Sequence, residues 1–174
     1  MTSSPTKPFD TTDLDPVLTD ADRLVMAETI LAWADLDTGI SRLIFLMFGI
    51  DSDAGSILIG NMDLKTKAER IKSLYSHLGN DAGAASFSKL SNAMREFSFS
   101  RNSIAHRKCI GRLKSEPSRL VFMSSRHVKG EQGSFEMIAI DRSEMIASAK
   151  FARDAAVTVA NMINAIEAAG AASP

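Results

Sequence analysis

The hydrophobic positions of this 174-residue chain return at helical spacing over four long stretches. Between about residues 20 and 48 the row Met26, Ile30, Trp33, Asp37, Ile40, Ile44, Met47 recurs every three or four positions, the period of a helix with one buried face. Thr19-Asp20-Ala21-Asp22 offers an N-cap and an acidic first turn, and Gly49 a stop. Beyond Asp51–Gly55, the apolar run Ile57-Leu58-Ile59 predicts a short helical turn. A second long helix is predicted over about 63–77, with Leu64, Ala68, Ile71, Leu74 or Tyr75, and Leu78 on one face and Gly79-Asn80 as its end. A third begins within Asp81–Ser86, carries Phe87, Leu90, Met94, Phe97 and Ile104, and ends near Lys108–Gly111. The last opens on a capping-box-like Asp141-Arg142-Ser143-Glu144 and shows Met145, Ala149, Ala152, Ala156, Val159, Ile163 and Ile166 on one stripe.

Between the third and last helices the period shortens. Leu120–Met123 and Phe135–Ile140 read as short strands separated by the turn cluster Lys129–Gly133, which predicts a β-hairpin. Residues 1–18, rich in Thr, Ser, Pro and Asp without periodicity, predict a loose arm, and residues 170–174 a frayed tail. Residues 19–169 then form one domain. The predicted fold class is all-α: a four- to five-helix, bundle-like domain with a small β-hairpin inserted before the last helix.

Composition adds bounds. Apolar residues at 45% and charged residues at 24% are ordinary for a globular protein. The longest apolar run, Leu43–Ile50, is far too short for a membrane span, and the first residues contain no signal-like apolar core. Cys109 is the single cysteine, so an intrachain disulfide and a cysteine-based zinc site are excluded and a reduced, cytoplasmic setting is expected. Net charge is −1, but its distribution is uneven. Residues 1–38 hold two basic against eight acidic residues, a net of −6, while residues 89–129 hold ten against two, a net of +8. Such a segment can face a polyanion, or pair with the acidic N-terminal third inside the fold; both can hold at once.

Two charges interrupt apolar rows: Asp37 in the first helix and Arg101 in the third. A charge on a buried stripe demands a partner or a wet cleft, so Asp37 is expected to pair with Arg101 or to orient His106, the alternative being a water-facing stripe edge. Arg101 opens the stretch Arg101-Asn102-Ser103-Ile104-Ala105-His106. Asn102 and His106, four apart, share a helix flank; Arg101 and His106 lie about 140° apart around a regular helix. Metal signatures such as Glu-x-x-His and His-Glu-x-x-His are missing, as are phosphate-cradling glycine loops, so no metal or cofactor is expected. On spacing alone the stretch also reads as a basic helix end with a satisfied histidine.

Arg101-Asn102-x-x-Ala105-His106 resembles the Arg-x4–6-His signature of the HEPN (higher eukaryote and prokaryote nucleotide-binding) superfamily, in which a polar residue commonly follows the arginine. A long first helix with Trp33-Ala34-Asp35-Leu36-Asp37, the motif near the end of the third helix, then a hairpin and a final helix are similar to one HEPN-like subgroup over about residues 20–168. The resemblance implies a metal-independent endoribonuclease, acting as a homodimer whose two motifs line one cleft, of the kind found in toxin–antitoxin and defence systems. It assigns His106 as general acid or base at the ribose 2′-hydroxyl, Arg101 to the scissile phosphate and Asn102 to orientation, with a 2′,3′-cyclic phosphate product. Asp37 would support these groups, and Arg107, Lys108, Arg95 and Arg112 would contact RNA phosphates. The sequence departs from the pattern at Arg107, where such relatives often have glycine. Some HEPN members instead serve as non-catalytic dimerisation, partner-protein (antitoxin) or nucleotide-binding domains, which is the alternative reading.

Overall fold

The computed structural model describes residues 11–127 and 135–171. Five α-helices and four strands lie along them: β1 (Leu14–Asp15), α1 (Asp20–Phe48), α2 (Ser52–Ile59), α3 (Leu64–His77), α4 (Asp81–His106), β2 (Arg107–Leu113), β3 (Arg119–His127), β4 (Phe135–Asp141) and α5 (Arg142–Ala171). None of the described helices is long and apolar enough to cross a membrane. The fold is helix-dominated, as expected, but the expected hairpin is part of a four-stranded antiparallel sheet in the order β1-β2-β3-β4.

Helix ends follow the capping residues in the sequence. Thr19 and Asp22 cap α1 reciprocally: the Asp22 amide donates to Thr19 Oγ1 at 3.2 Å and the Thr19 amide to Asp22 Oδ2 at 2.8 Å. Asp51, Asp63 and Asn80 side chains accept first-turn amides of α2, α3 and α4. At Gly49 (φ 63°) and Gly79 (φ 68°) the amides of Ile50 and Asn80 reach back to the carbonyls of Phe45 and Tyr75, the paired closure that a left-handed residue permits.

The described residues divide into two compact units, one ending at Ile30 and resuming over Phe99–Ala149, the other comprising Leu31–Ser98 and the chain from Lys150. In the first, the core is Val25, Leu120, Phe122, Ile140 and Met145, flanked by Leu18, Met26, Ile104, Cys109 and Ile138. The sheet contributes Leu120, Phe122 and Ile140 to it through the registers Leu120↔Ile140 and Phe122↔Ile138. In the second, α1, α3, α4 and α5 bury Leu36, Ile40, Leu43, Ile71, Phe87, Ala152 and Val159. A Cβ on Gly39 would lie 3.4 Å from Val159 Cγ1, so glycine and the alanines of α5 let two helix backbones approach closely.

Two expectations are corrected. The third long helix was expected to run on to Lys108–Gly111; it stops at His106, and Arg107–Leu113 is a strand. The period-2 signal there is broken by a bulge between Cys109 and Gly111, which hides the strand from pattern reading. The expected loose arm is partly ordered: residues 11–13 form a 3₁₀ turn, and Leu14 and Asp15 pair with Leu113 and Arg112. Residues 1–10, the turn cluster 129–133 and residues 172–174 fall outside the described residues, while 170 and 171 belong to α5.

Gly111 makes the β1 pairing possible. Its φ is 143°, and an added Cβ would sit 2.2 Å from the carbonyl oxygen of Asp15. Gly111→Ala is expected to destabilise the protein by about 2–3 kcal/mol and to expose residues 11–15 to proteolysis, measurable by urea denaturation and limited digestion. Asp141 gives a second expectation. Its carboxylate accepts the Ser118 hydroxyl, the Ser143 hydroxyl and the Ser143 amide at the start of α5, and these hydrogen bonds hold its pKa down to about 2 from the ordinary 3.8. A depressed carboxylate stabilises the fold above its unfolded pKa and loses that contribution as pH falls through its folded value. The stability gap between the wild type and Asp141→Asn should therefore be constant above about pH 4 and narrow towards pH 2, as read by denaturant melts across that range.

Candidate functional site

The last two turns of α4 bring the polar motif to the surface. The expected core stripe through Arg101 is rotated. Phe87, Ser91 and Met94 are buried, and further along the buried positions are Ser100 (4% exposed) and Ser103 (3%), not Arg101. Small serines let this face pack closely, so the arginine falls on a half-buried flank and its guanidinium escapes full desolvation. Arg101 Nη1 donates to Asn102 Oδ1 at 3.0 Å. That bond holds the guanidinium against Asn102, the residue that shares a helix flank with His106 one turn later. Asn102, Ala105 and His106 are exposed.

The next residue changes element. Arg107 opens β2 opposite Ser124, and its Nη2 pairs with Glu136 Oε2 at 3.1 Å. Its Nη1 is buried without a hydrogen-bond partner among the described residues. The sequence offered no signal for this pair, since Glu136 lies two strands away.

Of the other expected contributors, Lys108 and Arg95 are exposed on β2 and α4. Arg112 is engaged: its Nε and Nη2 both contact Asp15 Oδ2 at 3.0 Å. Asp15 in turn is held below the usual carboxylate range, first by the Val17 amide and then by Arg112. Lys114 donates to the Thr12 carbonyl, Ser115 binds Asp13, and Arg142 meets the fully buried Asp22 at 3.4 Å. Within the basic segment, the N-terminal stretch thus answers Arg112 through the Asp15 carboxylate and Lys114 through the Thr12 carbonyl. Cys109 is half-buried; burial pushes its thiol pKa up, which disfavours a nucleophilic role.

Asp37 takes a different partner from the one expected. Lys67 Nζ donates to Asp37 Oδ1 at 2.8 Å and to Ser41 Oγ at 3.0 Å. Lys67 is 4% exposed, whereas the Asp37 side chain is 45% exposed. The carboxylate therefore lies at the edge of the α1 stripe and answers a buried ammonium. In α3 the lysine stands beside Ala68, and its long stem covers apolar surface while its head finds the acid. Reading α3 by hydropathy alone passes over it.

No protein-family model, characterised protein or solved structure matches the chain. Among the described residues, no three His, Cys, Asp or Glu side chains gather as a metal-holding group. What the end of α4 offers chemically is a cation held by the Asn102 amide oxygen, the NH2 donor of that same amide, and an imidazole open to solvent. These groups suit an anionic ligand and proton transfer.

Asp37→Ala leaves the buried Lys67 ammonium without its acid and is expected to destabilise by about 2–3 kcal/mol, below a fully buried pair because Asp37 is partly solvated. Adding Lys67→Met should recover most of that loss, since the stranded charge is gone. Urea melts of the wild type and the two variants check this, and a loss that the second substitution leaves unchanged would assign Asp37 another role.

Proposed function

We propose that the chain is a metal-independent endoribonuclease of HEPN type, using the Arg101–His106 motif at the end of α4. The observation that carries this reading is the Arg101–Asn102 hydrogen bond at 3.0 Å beside an exposed His106. It holds an arginine against an amide that shares a flank of the helix with the exposed imidazole. In the proposed reaction His106 withdraws the ribose 2′-hydroxyl proton or protonates the leaving 5′-oxygen. Arg101 binds the scissile phosphate and offsets the charge of the pentavalent transition state. Asn102 keeps the guanidinium turned toward the histidine. Attack by the 2′-oxygen breaks the P–O5′ bond and leaves a 2′,3′-cyclic phosphate, so no metal-bound water is required. A homodimer places a second motif across one cleft, and exposed Lys108 and Arg95 are further phosphate contacts.

The second reading, a non-catalytic HEPN-like domain that binds a partner protein or a nucleotide, is favoured by a different observation. Arg107 and Arg112, expected to contact RNA, are occupied by Glu136 and Asp15. In that reading the basic segment is largely structural.

The two readings separate in one assay. Mixed RNA incubated with the purified protein in EDTA should be cut to fragments with cyclic phosphate ends. His106→Ala should slow cleavage at least about 100-fold, and Arg101→Ala comparably, with melting temperatures unchanged for the exposed His106. Intact RNA, or equal cutting by the wild type and His106→Ala, would exclude the nuclease and leave the binding domain.

A further inference from the structure

Within the unit formed by Leu31–Ser98 and the chain from Lys150, α4 and α5 flank a half-open apolar pocket of about 280 Å³. Its walls are Phe87 and Leu90 from α4 and Phe151, Ala155 and Val159 from α5. Phe87 and Val159 are each only 1% exposed, so this floor is part of the core. The Phe151 ring is held in place: it stacks on Phe97 with centroids 4.8 Å apart and packs against Trp33 at 5.8 Å. The wall is therefore formed before any ligand arrives.

The rim of the pocket is polar. It consists of Ser86, Asp154 and Thr158. The Ser86 hydroxyl donates to the Ala82 carbonyl at 2.9 Å, and the Thr158 hydroxyl to the Asp154 carbonyl at 3.0 Å. Both hydroxyl protons are committed to the helix, which leaves lone pairs and a carboxylate: acceptors only. Asp154 is paired with Lys150, but their side chains are 65% and 72% exposed. Such a surface pair contributes little and yields readily to a competing cation.

We propose that this pocket binds a small organic cation with an apolar body, of the arylalkylamine class. The aromatic ring lies against Phe151 above the Phe87–Val159 floor, and the ammonium replaces Lys150 on Asp154. The volume lies just below that of sites for drug-sized ligands, which limits the guest to about one ring and a short chain. An acceptor-only rim gains a charge-assisted hydrogen bond from an ammonium, a weaker one from an alcohol, and repulsion from a carboxylate. The inference uses none of the residues of the proposed nuclease site.

Trp33, the single tryptophan of the chain, packs on the pocket wall and reports occupancy. The full chain is titrated with 2-phenylethylamine, 2-phenylethanol and 3-phenylpropanoate while tryptophan fluorescence and melting temperature are followed. The amine should saturate, the alcohol should bind about tenfold more weakly, and the carboxylate should give no response. Asp154→Asn should bring the amine down to the level of the alcohol and leave the alcohol unchanged. Ala155→Leu, which fills the pocket, should abolish both; if that variant fails to fold, the exposed Asp154→Asn substitution decides alone. No saturable response to any probe, equal affinity for amine and alcohol, or amine binding unaffected by Asp154→Asn would overturn the proposal.

Discussion

The polypeptide passes from helix to strand between His106 and Arg107 with no linking residue. Up to His106 the amides of α4 are satisfied along the helix; from Arg107 the backbone pairs with β3, beginning at Ser124. A junction this abrupt removes the slack that a loop would give, so the position of His106 is set by both the helix axis and the sheet register. The Arg107–Glu136 ion pair pins the first strand residue from the far side of the sheet. The cost of the arrangement is visible in the same side chain, whose Nη1 is buried without a hydrogen-bond partner among the described residues.

Small polar residues decide what the helices present. Ser91, Ser100 and Ser103 are buried on α4, and Ser148 on α5. Ser91 also donates to Glu69 at 2.7 Å, which holds that carboxylate below its ordinary range while the acid stays half-exposed. A serine on a helix face keeps the close approach of an alanine and can still satisfy its hydroxyl. It is this substitution of small for apolar that turns Arg101 off the packed face and makes the motif accessible.

How much was legible depended on range. Thr19 with Asp22, Gly49, Gly79 and Asp141 act within a few residues, and helix boundaries read from them agree closely with the structure. The buried Lys67, the Arg112–Asp15 clasp and the Arg107–Glu136 pair join residues tens of positions apart, and nothing local announces them. β2 was lost for a related reason, since its alternation is interrupted at Gly111 and its partner strands lie on either side in sequence. Asp37 shows both effects: its place among apolar residues was plain, but its partner was not. The wrong partner followed from extending the α4 stripe through Arg101, where hydropathy ranks the buried serines as surface residues.

The clasp at Gly111 also orders events during synthesis. Leu14 and Asp15 leave the ribosome ahead of α1, yet their ladder partners Leu113 and Arg112 follow almost a hundred residues later. The helical segments of α1, α2 and α3 can form from local contacts in the interval, whereas the sheet waits for its distant strands. Until the N-terminal strand returns, β2 presents an open edge. The first described strand of the chain is thus among the last elements to find its place, and a single glycine governs whether it fits.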